Sequence, residues 1–241
     1  MIGILGGIFG IGGGVIAIPA LSLVGSLSQQ AAEGTAMLMV VSNLLMGALN
    51  YHKQKKIDWK LAIVLGLSSI PTNVLSSSLA TRISSSTLRE YFAVFLFLLA
   101  AETVRKAYRT KPAVELDGLK SHDIAMHWAI VLGLAAGFLA GLFGVGGGLF
   151  IIAMLALCFG YSQAMAQGVS TVSSLPGALI NLVAYSKAGN VHWETGLFLA
   201  VGGFATVPLG VYCAVHLRER LLKTLFAALA TISGIALLLH R

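Results

Sequence analysis

Long apolar stretches dominate the chain, and short polar segments separate them. A helix needs about 20 mainly apolar residues to cross a bilayer. The pattern predicts eight such segments, covering roughly residues 1–24, 31–51, 61–80, 88–104, 128–159, 164–185, 195–215 and 221–239. The predicted fold class is therefore an all-α polytopic membrane protein, with the lipid bilayer as its surroundings.

Two glycine runs interrupt apolar segments at corresponding places. The first ends in Gly12, Gly13 and Gly14, and the second ends in Gly146, Gly147 and Gly148. Each glycine lowers helix stability by about 1 kcal/mol relative to alanine, so a continuous helix is weakest there. We predict a broken or re-entrant helix at each run. Paired breaks of this kind in two halves of a chain point to the binding site of a transporter.

The glycine runs belong to an internal duplication. Gly10 and Gly144 are 134 positions apart, and the same offset pairs Gln29 with Gln163, Gly34 with Gly168, Tyr51 with Tyr185, Trp59 with Trp193 and Thr72 with Thr206. An ungapped duplication predicts two structural repeats of four segments each. We assign residues 1–108 to the first transmembrane repeat, 109–126 to a polar linker and 127–241 to the second repeat.

Composition and charge support a membrane location. The chain is 57% hydrophobic and only 10% charged, a balance unlike that of a soluble domain. Its net charge of +7 comes from basic residues in short loops between the apolar segments. The positive-inside rule accounts for these residues, so we predict no nucleic-acid partner. An inverted arrangement of the repeats places one more basic residue on the inner side than a parallel arrangement does, and we prefer the inverted one.

The predicted binding chemistry relies on neutral groups, because the apolar segments hold almost no charged residues. A half-helix N-terminus exposes unpaired N–H groups that suit an anion. The substrate-binding candidates are Gly12, Gly13, Gly14, Thr35, Asn43, Gly146, Gly147, Gly148, Ser170, Thr171, Ser174 and Asn181, with Thr72, Asn73 and Thr206 behind them. Two alternatives stay open. Each polar side chain could instead form an interhelical hydrogen bond, and glycines at every fourth position, as at Gly6, Gly10 and Gly14, also suit tight helix packing.

Several chemistries have no support in the sequence. No nucleophile and base occur together, no histidines have metal-ligand spacing, and the glycine spacing does not fit a dinucleotide or phosphate loop. We therefore predict no enzyme activity, no catalytic residue, no metal and no cofactor. Glu33, Glu102 and Glu194 lie near segment ends, so we expect interfacial positions for them rather than a role in carrying a coupled proton.

The duplicated motif resembles that of a known family. Phe9 to Gly14 followed by Pro19, the matching run Phe143 to Gly148, the segment Gly168-Val169-Ser170-Thr171, and the loops before Trp59 and Trp193 are similar to those of the TauE/SafE family of sulfite exporters. The resemblance implies a multi-pass permease of the inner membrane that moves sulfite, organosulfonates or related anions. Ala153 stands where Pro19 stands in the first half, which makes the half-sites unequal.

Together these observations predict a secondary transporter of small oxyanions. The anion would bind at the glycine breaks, and alternating access would move it across the membrane. Two alternatives remain: a channel or permease for another small solute or a metal ion, and a membrane scaffold without transport activity. Homodimer formation, the direction of transport and the coupling ion are left open.

Overall fold

The computed structural model describes residues 2–80, 82–109, 124–144 and 147–239. Within these ranges the chain is helical, with no strand, which confirms the all-α fold class. The helices are α1 (Ile2–Phe9), α2 (Gly14–Val24), α3 (Gln29–Lys53), α4 (Trp59–Ala80), α5 (Ser85–Arg109), α6 (Met126–Phe143), α7 (Gly148–Cys158), α8 (Gln163–Ser173), α9 (Leu175–Lys187), α10 (Trp193–His216) and α11 (Glu219–Leu239). Most of the predicted linker lies outside the described residues.

Four of these helices, α3, α4, α6 and α10, are long and apolar enough to cross a membrane. The pair α8 and α9 meets the same criterion as a fifth span, bent by 45°. The predicted segment 1–24 is divided into α1 and α2, and the predicted single helix over 164–185 is bent. Large apolar side chains such as Leu75, Phe198 and Val201 are about two-thirds or more exposed, as expected of residues that face lipid.

The backbone leaves the helical conformation at both glycine runs. Gly10, Gly12 and Gly13 have φ angles of 64°, 70° and 90°, and α2 begins only at Gly14. In the second half, α6 ends at Phe143, and Gly144 and Gly147 have φ angles of 60° and 72°. These left-handed conformations suit glycine because it has no Cβ atom. Val145 and Gly146, including one predicted site residue, lie outside the described residues.

The first helix of each half packs on a helix of the other half. A Cβ atom added to Gly7 of α1 would lie 2.5 Å from the Val207 carbonyl oxygen of α10. A Cβ atom added to Gly141 of α6 would lie 2.6 Å from the Asn73 carbonyl oxygen of α4. Both residue pairs are related by the offset of 134. Close packing between these helices uses Gly3 and Gly7, and Gly133, Gly137 and Gly141, in addition to the glycines of the breaks.

Helices that correspond under the offset run in opposite directions. Helix α3 lies beside its counterparts α8 and α9: Gly34 lies against Tyr185, Gly47 against Thr171, and the Tyr51 hydroxyl is 3.1 Å from Gln167 Oε1. Residue numbers therefore rise along α3 as they fall along α9 and α8. This antiparallel relation favours the inverted arrangement of the two halves.

Equivalent hydrogen bonds also begin the equivalent helices. The Ser28 hydroxyl accepts from the Ala31 N–H at 3.3 Å before α3, and the Ser162 hydroxyl accepts from the Met165 N–H at 3.4 Å before α8. A serine N-cap satisfies an N–H group that has no partner inside its helix. The two caps differ by 134 positions, like the glycine breaks.

Candidate functional site

Side chains close the carbonyl end of α1 at the first break. The last carbonyl groups of a helix have no partner within it. Asn43 Nδ2 donates to the Gly12 carbonyl at 2.9 Å, the Ser170 hydroxyl to the Gly10 carbonyl at 3.2 Å, and the Tyr51 hydroxyl to the Gly7 carbonyl at 2.9 Å. These donors come from both halves of the chain. They stabilise a broken helix inside the apolar core.

The second break is closed in a related way. Asn181 Nδ2 donates to the Ala140 carbonyl at 2.8 Å, and the Ser76 hydroxyl donates to the Gly137 carbonyl at 3.4 Å. Three predicted site residues, Asn43, Ser170 and Asn181, thus direct a donor to the backbone of a broken helix. An asparagine amide has a second hydrogen, so Asn43 and Asn181 keep one donor beyond this bond.

The N-terminus of α7 lies beside two buried serines. Gly147 caps this helix, and its carbonyl accepts from the Ile151 N–H at 3.2 Å. A Cβ atom added to Gly148 would lie 2.6 Å from the Ser170 hydroxyl oxygen and 3.2 Å from the Ser174 hydroxyl oxygen. The first N–H groups of α7 point along the helix axis without intrahelical partners and carry partial positive charge. The site is therefore suited to an anion.

Polar atoms without partners lie on the helices next to this break. Among the described residues, the Ser174 hydroxyl, Asn181 Oδ1 and both amide atoms of Asn73 are buried without a hydrogen bond. Ser174, Gly177 and Asn181 follow one face of α9, and a Cβ atom on Gly177 would lie 2.9 Å from Asn73 Nδ2. Each unsatisfied buried group costs about 1–3 kcal/mol. We call Asn73, Gly148, Ser174 and Asn181 the second-break cluster.

The first break also has buried polar atoms without a hydrogen bond among the described residues, Asn43 Oδ1 and Gln167 Nε2, but valine and alanine replace the serines and Asn73. The offset places Val40 opposite Ser174, Val207 opposite Asn73 and Ala36 opposite Ser170. Val40 packs against the first break, with its Cγ1 atom 2.8 Å from a Cβ atom added to Gly12. The two breaks thus have similar backbones and different side chains, since the first has valine and alanine where the second has Ser174, Asn73 and Ser170.

Two predicted site residues, Thr35 and Thr171, form hydrogen bonds away from the backbone of the two breaks. The Thr35 hydroxyl accepts from the His192 N–H at 3.0 Å and so holds the start of α10. The Thr171 hydroxyl donates to the Gln167 carbonyl of its own helix. Both contacts are the interhelical or back-bonded alternatives that the sequence left open. Gly12, Gly13 and Gly14 form the turn into α2, where the Gly13 carbonyl accepts from the Ile16 and Ala17 N–H groups.

We predicted that Glu33 lies at the membrane–water interface, and the structure shows instead that it is buried in the protein core. Its side chain is completely buried, with Gln29 Nε2 donating to Oε1 at 2.7 Å and the Tyr185 hydroxyl donating to Oε2. Its Cβ atom would lie 3.0 Å from a Cβ atom on Gly144 at the second break. The sequence signal was the offset itself, which relates the pair Tyr185 and Glu33 to the pair Tyr51 and Gln167.

A metal site is not evident in the part of the chain that the structure describes. No group of three or more histidine, cysteine, aspartate or glutamate side chains there is arranged to hold a metal ion. The chemistry of the site therefore rests on hydroxyl, amide and backbone groups, together with the one buried carboxyl group of Glu33.

Comparison with known proteins gives consistent matches over nearly the whole chain. The model of the family described as "Sulfite exporter TauE/SafE" matches residues 1–237. A probable membrane transporter protein of Methanocaldococcus jannaschii is 27% identical, over 99% of this chain and 92% of its own length. The probable membrane transporter protein YunE of Bacillus subtilis is 24% identical, over 86% and 83%, and YfcA of Escherichia coli is 22% identical, over 94% and 82%. No solved structure gives a significant match.

Proposed function

Because the chain belongs to the sulfite exporter TauE/SafE family, whose members are membrane transporters, we propose that it moves small sulfur oxyanions across the inner membrane. The substrates in view are sulfite and organosulfonates. One observation carries this proposal: the N-terminus of α7 lies beside the buried Ser174 hydroxyl, which has no hydrogen-bond partner among the described residues, and the unpaired Asn73 amide lies next to Gly177 one turn further along α9. Such groups could replace the water shell of an anion without a fixed cation beside it.

In this proposal the second-break cluster binds the anion. The first-turn N–H groups at Gly148, the Ser174 hydroxyl and Asn73 Nδ2 are donors, and the second hydrogen of Asn181 Nδ2 is a fourth. Asn43, Ser170 and the first glycine run act mainly by holding the opposite break in shape. The predicted binding set of twelve residues is thereby reduced to an unequal site centred on one half.

Alternating access is the proposed mechanism. The strongest contacts define two bodies, α10 with α1 and α3, and α6 with α4, while α9 contacts both α3 and α4. Each body contains helices of both repeats. We propose that these mixed bodies move against each other about the paired breaks, which differs from the simple movement of one repeat against the other.

The first prediction concerns variants in which residues of the second break are replaced by their counterparts at the first break. The variants Ser174→Val and Asn73→Val give the second break the valines that the offset places at the first. Each is expected to weaken sulfite binding by about 10- to 100-fold, because a hydrogen bond to a charged group contributes about 1.5–3 kcal/mol. The measurement is the half-saturating concentration of labelled sulfite for uptake into proteoliposomes.

Thr103→Val is the matched control, since the Thr103 hydroxyl is buried and bonded to the Leu99 carbonyl of its own helix, away from the breaks. It should bind sulfite like the original protein. Unchanged half-saturation in both cluster variants would contradict the placement of the site.

The same uptake assay separates the alternative functions. Inhibition by metal cations rather than sulfonates would favour a cation permease, and the absence of saturable flux of any solute would favour a scaffold.

A further inference from the structure

Glu33 is a buried carboxyl group without a cationic partner. Of the acidic side chains that the structure describes, only Glu33 is completely buried, and no ion pair to it occurs among the described residues. Charged groups inside a membrane protein are costly and mark ion paths. A carboxyl group can avoid this cost by binding a proton. A group that binds and releases a proton needs surroundings that suit both its ionised and its neutral form.

The hydrogen bonds around Glu33 suit both the ionised and the neutral form. Gln29 Nε2 and the Tyr185 hydroxyl each donate to one oxygen of the ionised carboxylate. Gln29 Oε1 is buried and has no partner among the described residues. Rotation of the Gln29 amide by half a turn exchanges its NH₂ group for this oxygen, which then accepts from a protonated carboxyl group. One glutamine thus serves both states.

The other half of the chain contains the neutral version of this arrangement. The offset places Gln167 opposite Glu33, Tyr51 opposite Tyr185 and Gln163 opposite Gln29. The Tyr51 hydroxyl is 3.1 Å from Gln167 Oε1, as the Tyr185 hydroxyl is bonded to Glu33. The fold therefore accommodates glutamine in this environment. A carboxyl group occupies this position in one half only, as Glu33.

The position of Glu33 links it to the proposed anion site. Its Cδ atom would lie 3.6 Å from a Cβ atom on Gly144, which caps the C-terminus of α6, while the second-break cluster lies at the N-terminus of α7, four residues later. The C-terminus of α6 carries partial negative charge. An ionised Glu33 is therefore disfavoured by this helix end, and more so when an anion is bound at the same break.

The other charged and histidine side chains on the neighbouring elements form no ion pair with Glu33 among the described residues. They lie toward helix ends, where all but the half-buried Arg89 are exposed: His52 and Lys53 on α3, Arg82, Arg89, Glu90, Glu102 and Arg105 on or next to α5, His127 on α6, Lys187 on α9, and His192, Glu194 and His216 on or next to α10. Tyr185 is the titratable group in contact with Glu33. None of the exposed groups replaces Glu33 as a buried proton acceptor.

We propose that Glu33 binds the proton that is transported together with the anion. The proposal rests on the proposed function of the second-break cluster. On the side of higher acidity, a hydronium ion transfers its proton to a carboxylate oxygen of Glu33 and leaves as water. The neutral carboxyl group permits the anion to bind at the second break, and on the other side the proton returns to water after the anion leaves. No other reactant is needed.

Two transport readings of the variant Glu33→Gln test this proposal in proteoliposomes with labelled sulfite. Exchange of internal for external sulfite should persist, because the protonated form and glutamine are both neutral. Accumulation of sulfite driven by an acidic exterior should be lost, together with the acidification of the vesicle interior reported by a trapped pH-sensitive dye. Glu194→Gln removes an exposed carboxyl group instead and should keep both.

An infrared measurement makes the result independent of the substrate. As the pH falls, the original protein should show a protonated-carboxyl band component that Glu33→Gln lacks, beyond the bands of the other acidic residues, without any sulfite present. Acid-driven accumulation that survives in Glu33→Gln, or an infrared titration that the substitution leaves unchanged, would overturn the proposal. Absence of sulfite exchange in the original protein would instead overturn the substrate, and the infrared titration would still decide whether Glu33 takes up a proton.

Discussion

Polar side chains in this core have two different tasks. Asn43, Asn181 and Tyr51 donate to backbone carbonyl groups of the broken helices. Ser174 and Asn73 have no such partner among the described residues, although burial of a polar group normally requires one. The first group stabilises the breaks inside the apolar core, and the second belongs to the cluster where we propose that the anion binds.

The bond between Tyr185 and Glu33 gives a prediction about stability. Tyr185→Phe removes a donor to a buried carboxyl group, and we expect a loss of about 1.5–3 kcal/mol when that group is ionised. Tyr51→Phe is the matched variant in the other half, where the nearby side chain is the neutral Gln167, and its expected loss is about 0.5–1.5 kcal/mol. Thermal unfolding in detergent at alkaline pH, where the carboxyl group is ionised, measures both. Equal losses of stability in the two variants would show that the charge of the carboxyl group does not strengthen its hydrogen bond with Tyr185.

The polar candidates were predictable at this scale, but their partners were not. Asn43, Ser174 and Asn181 stood out as amides and hydroxyls in apolar segments next to the glycine runs. Glu33 was misplaced because an acidic residue near the end of an apolar stretch usually lies at the membrane interface. Its burial depends on Tyr185 and Gly144, which are far away in the sequence and are brought to it only by the tertiary fold.

The two glycine breaks are the elements that define the molecule. Their existence follows from composition, since three consecutive glycines weaken a helix and permit left-handed backbone. The bend between α8 and α9 was not predicted, although Pro176 was a signal for it: proline has no N–H group and cannot donate to the carbonyl four residues earlier. The polar character of that segment drew attention to binding instead.

A substitution at the first break separates backbone strain from packing. Gly10→Ala should destabilise the protein by about 1–2 kcal/mol through its left-handed backbone alone, and further because the new Cβ atom would lie 2.8 Å from the Gln167 Cβ atom. Gly189→Ala has a similar φ of 73° with nothing within 4 Å, so it should show the backbone cost only. Unfolding midpoints of the two variants provide the comparison. A loss of stability in Gly10→Ala no larger than that in Gly189→Ala would show that the side chains around the first break can move to make room for the new Cβ atom.

At the scale of the whole molecule, the halves interlock. Helix α1 packs on α10 of the second half, and α6 packs on α4 of the first. The duplication predicted two similar units, but it could not predict this exchange of partners, because the contacts join positions far apart in the sequence. Antiparallel pairing of α3 with α8 and α9 favours inverted repeats, and the membrane topology remains to be measured.

Side-specific labelling tests the inverted arrangement. In a background without Cys158 and Cys213, which are free and exposed, single cysteines replace Ala188 in the loop after α9 and Arg218 before α11. A reagent that cannot cross the membrane should label Ala188→Cys in intact cells and label Arg218→Cys only after the inner side is made accessible. The reverse result would support parallel repeats, and labelling of both from outside would exclude either arrangement.

The exchange of helices between halves has a consequence for how the chain is made. Synthesis proceeds from the N-terminus, and early segments ordinarily fold before later ones appear. Here the glycine face of α1 has no permanent neighbour until α10 leaves the ribosome, near the end of translation. The first half is therefore incompletely packed in the membrane until α10 has been synthesised and can contact α1.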